Sequence, residues 1–172
     1  AAVILFGALV ITLLVFEQAS LMAVCLASLE GMRMTMIGSL YFTASRVKNI
    51  FLFTLNLVIR VLLIALPFIA VAGAIGWGLI SEYDINYYLA ETPPVFLAAA
   101  ATIGLVLIIM LGVLIRNLLA WSFTLPLLLF GPVTPSQTFK LSHALTKGQK
   151  TVLFIALGIW ALAATLVGAL VF

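Results

Sequence analysis

The chain has 172 residues, of which 66% are hydrophobic and 8% charged, and its mean hydropathy is +1.37. A soluble domain must cover its surface with charge, so this composition excludes one and makes the chain an integral membrane protein. The formal net charge is +3, and the one cysteine, Cys25, rules out an internal disulfide.

Residues 1–29 form the first expected span, since about 20 apolar residues cross a bilayer core as a helix. The run begins without a preceding basic segment, which favours a true span over a signal peptide. Glu17-Gln18 interrupt it, and Glu30, Gly31 and Arg33 mark its exit. Residues 34–48 are weakly amphipathic: Met34, Ile37, Leu40, Tyr41, Ala44 and Val47 follow the helical period, and Arg46 and Lys48 close the segment. This reads as a first surface helix.

Residues 50–80 form the second span and contain Asn56, Arg60 and Pro67. Pro67 removes a backbone hydrogen bond and is expected to kink the helix. Ala70, Ala74 and Gly78 recur every fourth residue and would allow a close helix contact. Residues 81–94 hold Glu82, Asp84 and Glu91 and lack Lys and Arg. Trp77, Tyr83, Tyr87 and Tyr88 suit an aromatic belt, and Asp84 is placed to cap a brief interfacial helix before Pro93-Pro94.

Residues 95–130 form the third hydrophobic segment. A straight helix of that length would be about 54 Å long against a core of roughly 30 Å, so it must tilt, break or run beyond the core. Arg116-Asn117 and Pro126 are the expected irregularities, and Trp121 suits the cytoplasmic interface. Residues 134–147 read as a second surface helix, the alternative being an ordinary cytoplasmic loop with some helix in it. Thr134 stands as N-cap, Pro135 at the first helical position and Gln137 where a capping box needs it. Phe139, Leu141, Ala144 and Leu145 give an apolar side, Lys140, His143, Lys147 and Lys150 a polar rim, and Gly148 a stop. Residues 151–172 form the fourth span and end within an apolar run, as expected of a piece of a longer polypeptide.

The expected fold is therefore an all-α integral membrane domain over residues 1–172, with four transmembrane helices and two cytoplasmic amphipathic surface helices. Arg33, Arg46, Lys48, Lys140, Lys147 and Lys150 fall on the side of the surface helices, so the positive-inside rule puts that side in the cytoplasm of a cell (inner) membrane and residues 81–94 outside. The basic residues suit anionic lipid headgroups. Span, basic helix, span occurs twice. Leu40, Arg46, Leu52 and Phe53 align with Leu141, Lys147, Leu153 and Phe154, and a shift of two aligns Glu17-Gln18 with Arg116-Asn117. This reads either as a parallel internal repeat or as chance matching among apolar residues.

Three ionisable groups lie inside spans: Glu17, Arg60 and Arg116. A charge at the bilayer centre costs at least about 2.5–3.5 kcal/mol, so such groups face the bundle interior and find partners. One reading is a packing cluster in which Glu17 satisfies an arginine and Gln18, Asn56 and Asn117 add hydrogen bonds. A second is an anion site, with Arg60 and Arg116 holding a phosphate headgroup. An ion pathway is the third. His143 stands without a second His or a Cys nearby, which argues against a metal site. No catalytic constellation and no nucleic-acid-binding motif is present in the sequence.

The stretch RNLLAWSFTLPLLLFGPVTPSQTFKLSHALTKGQK, with Arg116-Asn117, Leu125-Pro126, Thr134 to Ala144 and Leu145-Thr146-Lys147-Gly148, resembles the membrane domain of glycerophosphoryl diester phosphodiesterases, as does the loop from Asp84 to Pro94. The resemblance implies a covalently linked catalytic domain that hydrolyses glycerophosphodiesters to glycerol 3-phosphate and an alcohol with a divalent cation, calcium or magnesium. That family's His-Arg-Gly and Glu-x-Asp motifs do not occur here, so no catalytic residue carries over. The implied role of this chain is to anchor that domain and present lipid-derived substrate to it. A lipid or small-solute transporter and a structural scaffold are the alternatives.

Overall fold

The computed structural model describes residues 2–81 and 84–171, the last few at each end and Ile85 by backbone alone. These residues are all-helical: α1 (Ala2–Leu29), α2 (Met36–Ala44), α3 (Val47–Ile80), α4 (Ile85–Glu91), α5 (Pro94–Ala120), α6 (Thr124–Phe130), α7 (Pro135–Leu145) and α8 (Lys150–Val171). Four segments are long and apolar enough to cross a membrane: Phe6–Leu29, Val47–Ile80, Pro94–Phe130 and Lys150–Ala169. The chain divides into two compact units, Ala1–Val58 with Asn117–Phe172, and Ile59–Arg116.

In the first unit, α1 ends in a Schellman arrangement. Gly31 takes φ 73°, its N–H bonds Ser28 C=O at 3.1 Å, and Met32 N–H bonds Ala27 C=O at 2.8 Å. Only glycine enters that conformation without a Cβ penalty. The buried side of α1 is a stripe of small residues: Ala8, Thr12, Ala19, Ser20, Ala23 and Ala27. Apolar side chains gain nothing by leaving lipid for a protein interior, so close approach of small residues drives packing between spans. Thr12 and Ser20 hydroxyls return their donors to the carbonyls of Ala8 and Phe16 at 2.6 and 2.9 Å, so the stripe carries no unsatisfied polar atom there.

The core of this unit gathers Ala19, Ile50, Phe53, Leu128, Leu129 and Phe139. Phe139 stacks on Phe53 at 5.5 Å and meets Trp121 edge-on at 5.4 Å between ring centroids. Trp121 therefore packs into the core, where the sequence pattern places it at the interface.

The third hydrophobic segment breaks at residues 121–123, between α5 and α6. Pro126 explains the position. Its ring excludes the carbonyl four residues back, that of Ser122, and it has no N–H to donate there. Beginning a new helix at Thr124 puts Pro126 in a first turn, where its missing donor costs nothing. Thr124 N–H instead bonds Trp121 C=O at 3.0 Å, one residue short of the α spacing. The irregularity expected at Pro126 thus falls just upstream of it, and helix α5 runs without interruption through Arg116-Asn117.

The two short helices are shorter than expected, and on each the small hydroxylated residues are buried while most of the longer apolar ones are exposed. Helix α2 spans Met36–Ala44, within the expected 34–48, because Thr35 caps it by accepting Gly38 N–H at 3.1 Å and α3 already begins at Val47. It buries Ser39 and Thr43, and leaves Met36, Ile37 and Tyr41 about 80% exposed. Helix α7 buries Thr138, Phe139 and Ser142, while Leu141 and Leu145 face outward. Of the apolar side read from sequence, only Phe139 is buried. The physical reason is the solvent: in lipid the long apolar side chains can face out, and small hydroxylated residues let helices approach and bond. Gln137 Oε1 accepts Thr134 N–H at 3.3 Å, the reciprocal arm of the expected capping box, and Gly148 takes φ 83° in the turn before α8.

Gly131 ends α6 in extended backbone, φ −96° and ψ 154°, which any residue adopts. Its constraint is steric: a Cβ there would lie 2.6 Å from Leu127 carbonyl oxygen and 3.3 Å from Val133 Cγ2. Gly131→Ala is expected to cost about 1–3 kcal/mol, the range for forced overpacking. Thermal unfolding in detergent should show it against Gly168→Ala, whose added methyl meets nothing within 4 Å. Equal melting of the two variants would refute the clash.

In the second unit, residues 59–80 of α3 and 94–116 of α5 form a helical hairpin through α4. A brief helix, α4, is present where one was expected: Asp84 C=O accepts Tyr87 N–H at 3.0 Å, its carboxylate accepts Asn86 Nδ2–H at 2.9 Å, and α4 stops before Pro93-Pro94. Glu82 and Tyr83 lie outside the described residues. Tyr88 is buried and stacks on Phe96 at 5.5 Å, leaving the more exposed Tyr87 and Trp77 to suit a belt. The helices approach at Gly76, where an added Cβ would lie 3.9 Å from Ile103 Cδ1. Ala70, Ala74 and Gly78, expected to make that contact, are exposed.

Candidate functional site

The residues of the expected intramembrane cluster divide between the units: Glu17, Asn56 and Asn117 lie in the first, Arg60 and Arg116 in the second. Asn56 returns its Nδ2–H to Leu52 C=O at 2.8 Å along its own helix, and Asn117 is half-buried.

In the second unit, Arg60 is half-buried and Arg116 exposed. Their depth follows from the Gly76–Ile103 contact. Counting away from it along antiparallel helices, Arg60 lies about 24 Å and Arg116 about 20 Å down the hairpin at 1.5 Å per residue. By this count the two backbone positions fall at similar depths, about 4 Å apart along the helices. Two arginines so placed have the charge and planar donors to receive a phosphate or carboxylate.

In the first unit, α1 and α2 enclose a groove of about 360 Å³ lined by Leu13, Phe16, Glu17, Ser20, Leu21, Val24, Met36, Ser39 and Leu40. Helix α2 lies alongside α1, beside its middle, because Ser20 Oγ–H donates to Thr43 Oγ1 at 3.2 Å. Glu17 is the one charged residue of the lining and is exposed into it. It has no hydrogen-bond or ion-pair partner among the described residues of this unit. The sequence singles out Glu17 but not the groove, since the apolar period of residues 34–48 reads as a surface helix and not as the wall of a cavity. The available signal was the Ser39-x-x-x-Thr43 spacing, which puts two small hydroxyls on one side of α2.

The basic residues differ in what they touch. Arg46 turns inward: its Nη1 donates to Leu129 C=O, at the C-terminal end of α6, and its guanidinium lies 4.5 Å from the Phe42 ring centroid. Phe42 in turn stacks on Phe130 at 6.0 Å. Lys48, Lys140 and Lys147 are exposed and Lys150 is half-buried. Arg46 thus joins α2, α3 and α6, while Lys48, Lys140 and Lys147 stay exposed.

Two hydroxyls at the C-terminal end of α7, those of Ser142 and the capping residue Thr146, serve the α5–α6 break. Ser142 Oγ–H donates to Ala120 C=O at 2.8 Å while its oxygen accepts Phe123 N–H at 3.1 Å. Thr146 Oγ1 also reaches Ala120 C=O, at 3.3 Å. The stretch that carries the family resemblance is built as this joint. Among the described residues, no three His, Cys, Asp or Glu side chains come together as a metal site would require. No family model, no curated protein and no solved structure matches this chain.

Proposed function

We propose that this chain is the membrane domain of a glycerophosphodiester phosphodiesterase, which anchors a linked catalytic domain and presents phosphate-bearing, lipid-derived substrate to it. The observation that carries the reading is the similar depth of Arg60 and Arg116 in the hairpin of α3 and α5, two cations with forked donors inside apolar helices. The resemblance over residues 116–150 supports it.

In this reading α2 and α7 lie on the cytoplasmic side of a cell membrane and residues 81–94 on the other, as the exposed Lys48, Lys140 and Lys147 favour. The two halves form a parallel repeat. The buried pairs Ser39/Thr43 and Ser142/Thr146 support this register, because they stand at the same separation as the first residues of α3 and α8. The register also fits better than one drawn from leucines, since the pairs share both spacing and burial.

The test has two arms. The full polypeptide in membrane vesicles should release glycerol 3-phosphate from glycerophosphocholine; absence of hydrolysis overturns the enzyme assignment. Native mass spectrometry of this chain should show bound phosphatidylglycerol, with Arg60→Gln/Arg116→Gln lowering occupancy at least tenfold, about the loss of one charge-assisted contact. Unchanged occupancy would leave the arginines as packing groups and the chain as a scaffold.

A further inference from the structure

The groove between α1 and α2 is lined by residues of the first unit alone and has a different chemistry from the two arginines. Its walls are alkyl and aromatic apart from Glu17, Ser20 and Ser39. The two hydroxyls are already engaged: Ser20 Oγ–H with Phe16 C=O and Thr43 Oγ1, Ser39 Oγ–H with Met36 C=O at 2.8 Å. That leaves the Glu17 carboxylate as the polar group able to orient a ligand. A second notch in the same unit, between Leu26, Pro126, Phe130 and Leu145, has apolar lining side chains throughout and so nothing to orient one.

An ionised carboxylate in an apolar wall is costly unless a counter-charge meets it. Within the first unit no basic side chain is paired with Glu17: Arg46 is committed to Leu129, and Arg33, in the α1–α2 connection, is exposed. The counter-charge can therefore come from the ligand. Phe16, also in the lining, adds an aromatic ring, and carboxylate with aromatic face is the combination that receives an ammonium group. Leu21, Val24, Met36 and Leu40 continue the groove as an apolar trough. At about 360 Å³ it is near the lower end of small-molecule sites, with room for one alkyl chain and not two.

We infer that the α1–α2 groove binds a single-chain amphiphile with an ammonium head, the head at Glu17 and Phe16 and the tail along Leu21, Val24 and Met36. Charge complementarity selects this occupant: an anionic amphiphile would meet the carboxylate, and a neutral one would leave it without a partner. This site involves neither Arg60 nor Arg116, so it stands or falls separately from the phosphate reading.

The probe is radiolabelled dodecyltrimethylammonium, kept below its micelle concentration, with the chain in phosphatidylcholine nanodiscs and empty discs as background. The expected result is saturable binding of one molecule per chain, weakened at least tenfold by Glu17→Gln, while binding of dodecanol is weak and indifferent to that change. Leu40→Trp, placed at a half-exposed lining position, should fill the trough and abolish binding without altering thermal unfolding. Arg60→Gln/Arg116→Gln should leave binding intact. Binding that is unsaturable, equal for dodecyl sulfate, unchanged by Glu17→Gln, or retained in a folded Leu40→Trp variant would each overturn the proposal.

Discussion

Phe139→Ala is expected to be the most damaging single truncation in the first unit, while Leu141→Ala, two residues on, should be nearly silent. Phe139 is 2% exposed and joins α7 to α3, α6 and the 121–123 break, with Phe53 stacked on one side, Trp121 edge-on at the other, and Leu128 and Leu129 of α6 closing the cluster. Truncating a buried Phe costs about 3–5 kcal/mol in water-soluble proteins. In a bilayer the transfer part shrinks, because the ring would otherwise rest in lipid, so the lower end, about 3 kcal/mol, applies. For a chain of this size that corresponds to roughly 6–12 °C in melting temperature. Leu141 is 42% exposed and outside the cluster, so its loss should stay within about 0.5 kcal/mol. Thermal unfolding in a mild detergent separates the two. If Leu141→Ala were the more damaging, the buried side of α7 would be assigned wrongly.

This pair of residues also marks where the sequence is readable and where it is not. The four spans are legible because about 20 consecutive apolar residues have no other stable use, and the stops are legible because Gly31, Thr134 and Gly148 each meet a stereochemical demand. The inward side of α2 and α7 is not legible from hydrophobic periodicity. That rule assumes water outside. With lipid outside, Ile37, Tyr41, Leu141 and Leu145 lose nothing by facing out, and Ser39, Thr43, Ser142 and Thr146 gain hydrogen bonds and close approach by facing in.

The candidate sites divide in the same way. Glu17, Arg60 and Arg116 stand out in the sequence because charge is rare inside apolar runs. Their roles depend on tertiary facts that charge does not encode. Glu17 lines a groove because α2 turns back beside α1 after the Gly31 stop. Arg46 has the composition of a headgroup ligand, yet the end of α6 claims it through Leu129 C=O. A helix terminus offers unsatisfied carbonyls, and α6 has its own because the break at residues 121–123 begins it and Gly131 ends it, both far from Arg46 in sequence.

Ser142→Ala is expected to loosen that break and to cost about 1–3 kcal/mol, the range for leaving a buried polar group unsatisfied. The helical interruption at residues 121–123 frees a donor and an acceptor at once, Phe123 N–H and Ala120 C=O. One hydroxyl can serve both because it donates and accepts. Alanine serves neither. Thr146 cannot fully replace it, since its hydroxyl lies 3.3 Å from Ala120 C=O and is also within reach of Ser142 C=O at 3.0 Å and His143 C=O at 3.2 Å, and as a donor to Ala120 it leaves Phe123 N–H unanswered. Hydrogen exchange gives a readout that a general loss of stability would not: amide exchange at Phe123 should rise before that of Leu119 or Leu128 on either side. Ser122→Ala is the control, because the Ser122 hydroxyl bonds Leu119 C=O, in the turn of α5 just before it, at 2.9 Å and does not reach α7. The double variant Ser142→Ala/Thr146→Val should lose more than the two single losses combined, as expected where two hydroxyls share one acceptor and each can partly cover for the other. Faster exchange at Phe123 without any such coupling would assign the bridge to Ser142 alone. Unchanged exchange in Ser142→Ala would mean that the break holds itself, and that α7 contributes only the packing of Phe139.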